Sequence, residues 1–310
     1  MSSTSDSFAA VRTDDLPAWH LHADVWTIIA VAGFAWLMAV RREQHRREGL
    51  AVGAEGAAGE KAEPVVTRRQ IGCFVAGLAT VFLASDWPVH DLAEGYLYSV
   101  HMVQHMLVTL VAAPLLLLGT PAWLMRRLLP GRLVKVVRQL ARPVPNLVQF
   151  NAILILSHWP FWVNATLRNH PLHFVAHALL LLSALLMWMV IVSPLPEVPR
   201  ARRPMQMLYL FLQTLLPTVP ASFLTFGSKP LYSFYETVPR LYGWSALSDQ
   251  QVAGLIMKLV GGFYLYAIIA VIFFRWYGEE ERKAEGEEQQ LRLPETLYWD
   301  DVERELKQLG

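Results

Sequence analysis

Residues 95–119 read GYLYSVHMVQHMLVTLVAAPLLLLG, a run that contains no Asp, Glu, Lys or Arg. As a helix rising about 1.5 Å per residue it would extend roughly 37 Å, enough to cross a hydrocarbon core of about 30 Å. Lipid offers no partner to backbone N–H and C=O groups, so such a segment must close its own hydrogen bonds as a helix. It lacks the alternation of a barrel strand.

Working outward, further apolar runs occur at 25–40, 70–85, 146–163, 172–192, 205–226 and 251–276, giving seven predicted spans. The first two are short. Of the 310 residues 54% are hydrophobic and 17% charged. With the charges collected between the runs, this is membrane composition. The fold class expected is all-α, a polytopic transmembrane helix bundle in contact with the lipid bilayer. No nucleic-acid partner is expected.

Loop charge sets the orientation. Arg41, Arg42, Arg46, Arg47, Lys61, Arg68 and Arg69 follow the first span. Arg126, Arg127, Arg132, Lys135, Arg138 and Arg142 follow the third, and Arg200, Arg202 and Arg203 the fifth. The alternate connections hold only Arg168, Lys229 and Arg240, so the positive-inside rule places the N-terminus outside and the C-terminus in the cytoplasm. The expected organisation is an extracytoplasmic tail (1–24), a seven-span membrane domain (25–277) whose 41–69 segment is a basic cytoplasmic loop, and a charged cytoplasmic tail (278–310). A short amphipathic helix is expected from Pro294 through Leu306. Arg12 is the only basic residue before the first apolar run, which argues against a signal peptide and for a retained first span. Pro114, Pro217 and Pro220 fall inside spans and predict kinks.

His101 and His105 are four apart in the third span and therefore share a helix face, as do His173 and His177 in the fifth. His158 lies near the outer end of the fourth. Counted from residue 95, His101 and His105 sit roughly 9 and 15 Å along their helix, and all five histidines fall in the outer half of the bundle. Buried polar groups in a membrane are costly and mark function. Neutral imidazole is a good ligand for copper, zinc and haem iron, so a metal or haem site is the expectation, with an interhelical hydrogen-bond network as the plain structural alternative. Met102 and Met106 lie beside the first pair, and a thioether next to imidazole favours Cu(I). The single cysteine, Cys73, excludes a CxxC site or an intrachain disulfide.

Asp86, Asp249 and Lys258 are possible accessory groups. Asp249 suits an N-cap of the seventh span. Lys258 either snorkels or seeks a carboxylate, for which Asp86 is one candidate. No GxSxG, P-loop, HExxH or dinucleotide fingerprint occurs, and no enzyme is expected. No internal repeat suggests a symmetric transporter.

The segments SVHMVQHM (99–106), LSHWPF (156–161), HPLHFVAH (170–177) and SDQQVAGLIM (248–257) resemble the bacterial CtaG family of cytochrome c oxidase assembly factors, those associated with caa3-type oxidases. The resemblance runs from about residue 71 to 277. It implies a multi-pass protein of the bacterial plasma membrane that partners cytochrome c oxidase subunits and assists copper insertion, with a periplasmic or extracellular copper donor. The motif positions carried over are His101, His105, His158, His173, His177 and Asp249. Three readings stand at this point: a Cu(I) metallochaperone, a haem-binding membrane protein with axial histidines, and an assembly scaffold without metal.

Overall fold

A computed structural model describes residues 12–13, 17–53, 64–241, 243–291 and 299–309. The rest of the N-terminal tail, residues 54–63 of the basic loop and residues 292–298 lie outside the described residues. The chain is helical almost throughout: α1 (Ala23–Gly53), α2 (Arg68–Ser85), α3 (Val89–Gly95), α4 (Tyr98–Met106), α5 (Ala113–Gly119), α6 (Ala122–Leu128), α7 (Gly131–Leu140) and α8 (Pro143–Ser157) make up its first half. The second half comprises α9 (Pro160–Leu167), α10 (His170–Val192), α11 (Arg203–Leu215), α12 (Thr218–Phe226), α13 (Ser233–Thr237), α14 (Ala246–Leu255), α15 (Gly261–Leu291) and α16 (Trp299–Leu309). A two-residue parallel pairing joins Arg12–Thr13 to Arg240–Leu241.

Among the described residues, six helical stretches are long and apolar enough to cross a membrane: Ala23–Gly49, Arg68–Gly95, Tyr98–Gly119, His170–Val192, Arg203–Phe226 and Ala246–Gly286. The predicted fourth span, 146–163, is not one continuous helix. It is the shorter α8, then a break at His158 and Trp159, then α9. Pro160 explains the break, because its ring pushes the preceding residue out of the α region, and Trp159 is extended (φ −69°, ψ 130°). Other limits shift as well. α1 continues through Arg41–Arg47, so the expected basic loop begins as helix; of the expected tail helix, residues 294–298 lie outside the described residues and 299–306 fall within α16.

Large apolar side chains face outward on several helices: Phe223 is 69% exposed, Phe263 70% and Phe274 71%. An apolar exterior on that scale is unfavourable in water and natural in lipid. Inward, α10 packs against α5 and α8, α11 against α15, α2 against α5, and α12 and α4 both against α14. Trp188, Met187, Tyr209 and Leu210 fill the resulting core.

Pro114 acts through the turn that precedes it. Between α4 and α5 the chain widens into a π turn at Leu107–Ala112, just ahead of Pro114. Pro114 has no N–H to return to that turn. The Thr109 carbonyl instead accepts from Trp188 Nε1 (2.8 Å) and the Leu110 carbonyl from Tyr264 Oη (2.7 Å). Donors on α10 and α15 thus repair the ladder and tie three helices together.

Candidate metal centre

All five predicted histidines lie at the same end of the bundle, and their rings are in contact. His101 and His105 project from α4 with centroids 4.3 Å apart, and His173 and His177 from α10 with the same separation. Across the helices, His101 lies 5.8 Å from His173 and 5.7 Å from His177, and His105 lies 4.9 Å from His177. His158, at the break after α8, meets His105 at 6.1 Å. One ligand atom from each of His101, His173 and His177 can be chosen so that all three lie within 4.8 Å of one another. Because α4 starts at Tyr98, the first pair lies nearer its helix start than counting from residue 95 suggests.

Hydrogen bonds fix which nitrogens are available. His158 Nδ1 donates to the Leu154 carbonyl (2.7 Å), which leaves Nε2 with its lone pair, buried and without a partner among the described residues. His173 Nδ1 lies 3.1 Å from Glu94 Oε1. With Nδ1 donating to Glu94, His173 Nε2 is the acceptor of a 2.7 Å hydrogen bond from His177 Nε2, a bond that a metal ion on His173 would replace. Nδ1 of His101 and of His105 are likewise buried without partners among the described residues. His158, held on one nitrogen by a carbonyl with the other nitrogen bare, has the usual form of a metal-ligating histidine.

Two cavities flank the cluster. One of about 70 Å³ is lined by His105, His158, Met102, Met106 and Met257. The other, of about 300 Å³, is lined by His90, Glu94, Gln104, His173 and His177 and reaches Asp24 and His170. Met102 is buried, and Met106 turns toward Gly261 on the far side of the smaller cavity.

The accessory groups are placed differently from expectation. Asp249 is not the N-cap of its own helix; Ser245 fills that role, accepting from Ser248 N. Asp249 Oδ2 accepts from Tyr98 N (2.6 Å) and Oδ1 from Ser99 N (3.0 Å), so it caps α4, whose own cap residue Leu97 has no side-chain oxygen. Asp86 and Lys258 do not pair. Asp86 Oδ2 accepts from Trp26 Nε1 (3.2 Å), whereas Lys258 Nζ donates to Ser222 Oγ (3.1 Å) and lies 5.1 Å over the Phe226 ring. A hydroxyl and an aromatic face satisfy the ammonium where it emerges, so no carboxylate is needed.

The segment between α12 and α14 lies over this end of the bundle. Tyr98 Oη donates to Tyr232 Oη (3.2 Å), Tyr232 Oη donates to the His158 carbonyl (3.0 Å), and Tyr235 Oη donates to the Ala93 carbonyl (2.6 Å). Burial pushes the Tyr232 phenol up to about 12 and raises that of Tyr235 as well, so both stay protonated donors. Arg240 donates to the Tyr235 carbonyl; burial lowers its pKa, and the charge of Asp249 opposes that shift. Gln250 Oε1 accepts from Leu231 N (2.6 Å), and Gln251 Nε2 donates to the Gly227 carbonyl (3.2 Å). SDQQ is therefore a fastening motif that binds α4 and the overlying segment.

His90 and Glu94 were not among the predicted site residues. They lie in α3, between the second and third predicted spans. The signal was present: His90 and Glu94 have the same i, i+4 spacing as the other pairs.

Fold and site together define a helical membrane protein with a histidine cluster at one end of its bundle. The family model of the cytochrome c oxidase caa3 assembly factors (Caa3_CtaG) matches residues 34–279, and the chain belongs to that family. A role in cytochrome c oxidase assembly follows from the membership, and with it oxidase partners and a membrane setting. Comparison with curated proteins and with solved structures gave no match.

Proposed function

We propose that the protein is a non-enzymatic assembly factor of the bacterial plasma membrane that holds Cu(I) among His101, His173 and His177 and releases it to an oxidase subunit. The observation that carries this reading is the meeting of three imidazole nitrogens from α4 and α10 within 4.8 Å, two helices whose approach no sequence spacing dictates. His105 and His158 extend the ligand set, and Met102 and Met106 line the adjoining cavity with soft thioether character. A site without thiolate binds copper less tightly than a cysteine trap, which suits delivery. A copper donor on the outer side completes the scheme, with seven crossings, the N-terminus outside and the C-terminus cytoplasmic, as loop charge indicates.

Haem fits less well. The histidine rings touch at centroid distances of 4.3–6.1 Å, which leaves no slot for a macrocycle between opposed axial ligands. Metal content and a visible spectrum of detergent-purified protein from copper-replete cells test the proposal against a folded His101→Ala/His177→Ala variant. Copper in the wild type, lost in the variant, with no Soret band, is the expected result. A colourless, metal-free wild type would overturn it in favour of a scaffold.

A further inference from the structure

The cavity of about 300 Å³ opens between the outer ends of α1, α3 and α10, and its wall carries Asp24, His90, Glu94 and His170 but, among the described residues, no Lys or Arg. Beside its mouth, the segment before α1 brings His20 and His22 to a single carboxylate. His22 Nε2 lies 3.1 Å and His20 Nδ1 3.9 Å from the oxygens of Asp91. The His22 and His90 rings meet edge to face at 4.7 Å. His90 Nε2 is 3.3 Å from Glu94 Oε1, the oxygen that also holds His173. Side-chain exposure falls along this line, from 68% at His20 to 20% at His22, 18% at His90 and 7% at His173.

A hydrogen-bond network of purely structural purpose has no need to begin on an exposed segment, to end at bare imidazole nitrogens, or to line a cavity. An ion moving by ligand exchange needs all three. We propose that this cavity is the port through which Cu(I) reaches or leaves the triad, with His22 and His90 as relay ligands and with Asp24, Asp91 and Glu94 drawing in the cation and orienting the imidazoles.

The inference rests on the copper reading and adds its route. Carboxylates are poor Cu(I) ligands, so their part is electrostatic and orienting. His22, held by Asp91 through Nε2, offers Nδ1. His90 offers its own Nδ1, which at rest accepts from the Gln104 amide (3.2 Å). At each transfer one copper–nitrogen bond forms as another breaks. The metal remains Cu(I), and no proton or electron is consumed.

The test uses the full-length protein in detergent without oxygen, with Cu(I) supplied from a coloured soluble chelator whose absorbance reports both rate and final stoichiometry. His22→Ala and Asp91→Asn, singly and together, are expected to slow uptake roughly tenfold or more while leaving final copper per chain unchanged. Val25→Trp, which narrows the cavity without touching a ligand, should slow it as well. Added salt should slow the wild type more than Asp91→Asn. If all variants load at the wild-type rate, the port is elsewhere and the copper reading stands. If folded His22→Ala loses stoichiometry, His22 is a resident ligand and the relay is wrong. If the wild type takes up no copper, the copper reading and the port fall together.

Discussion

Asp249, fully buried, accepts the backbone N–H groups of Tyr98 and Ser99 at 2.6 and 3.0 Å, across some 150 residues of chain. Through this contact α14 fixes the start of the helix that carries His101 and His105. Asp249→Ala leaves two buried donors open and is expected to cost about 2–4 kcal/mol, seen as a lower Tm in detergent. Asp249→Asn should recover only part of that, because its amide presents N–H toward one of the donors. A Tm unchanged in the alanine variant would refute the capping role.

Gly254 and Gly72 predict opposite signs for one substitution. A Cβ on Gly254 would stand 2.5 Å from Thr225 Oγ1 and 2.8 Å from the Ala221 carbonyl, so Gly254→Ala must push α12 and α14 apart, at about 1–3 kcal/mol. Gly72, on an exposed turn of α2, meets nothing within 4 Å among the described residues, and Gly72→Ala should stabilise by up to about 1 kcal/mol. Thermal unfolding of the two variants side by side checks both signs.

Tyr264→Phe removes the donor to the Leu110 carbonyl and should cost about 1 kcal/mol. In a Pro114→Ala background the helix regains an N–H of its own, and the same substitution should cost less. A double-mutant cycle measures that coupling. Strict additivity would mean that Tyr264 is not repairing the proline's gap.

Arg126 donates to Glu197 (2.6 Å), joining α6 to the connection after α10 and holding the Glu197 carboxyl below the usual carboxylate range. A folded-state pKa below the unfolded one contributes stability that is fully present above the unfolded value of about 4.3 and lost as pH falls through the folded value. Both groups are about half exposed, so the effect is small and screened by salt. The Tm difference between wild type and Glu197→Gln should therefore narrow as the pH is lowered below that range. A difference that widens on acidification would contradict this assignment.

Much of this is legible in the amino-acid sequence. Apolar length exposes the long helices, and i, i+4 spacing reveals both histidine pairs. Spacing along one helix says nothing of which helices touch, so the approach of His101 to His177 could not be read. Asp249 misled for the same reason: a carboxylate near a helix start looks like a cap for its own helix, while its partner was the helix of Tyr98. His90 and Glu94 escaped because polar residues after a predicted span end pass for a loop. The break at His158 was written in the chain, since Pro160 disfavours a helical conformation at Trp159 before it, but the overall apolar character of 146–163 outweighed that signal.

The fifteen residues of α8 have one more consequence. Such a helix rises about 22 Å, well short of a hydrocarbon core of about 30 Å. Lipid beside a short wall dimples to meet it. On the face where His158 ends α8, the membrane is therefore expected to be locally thin, and water to approach the histidines from the side as well as from above.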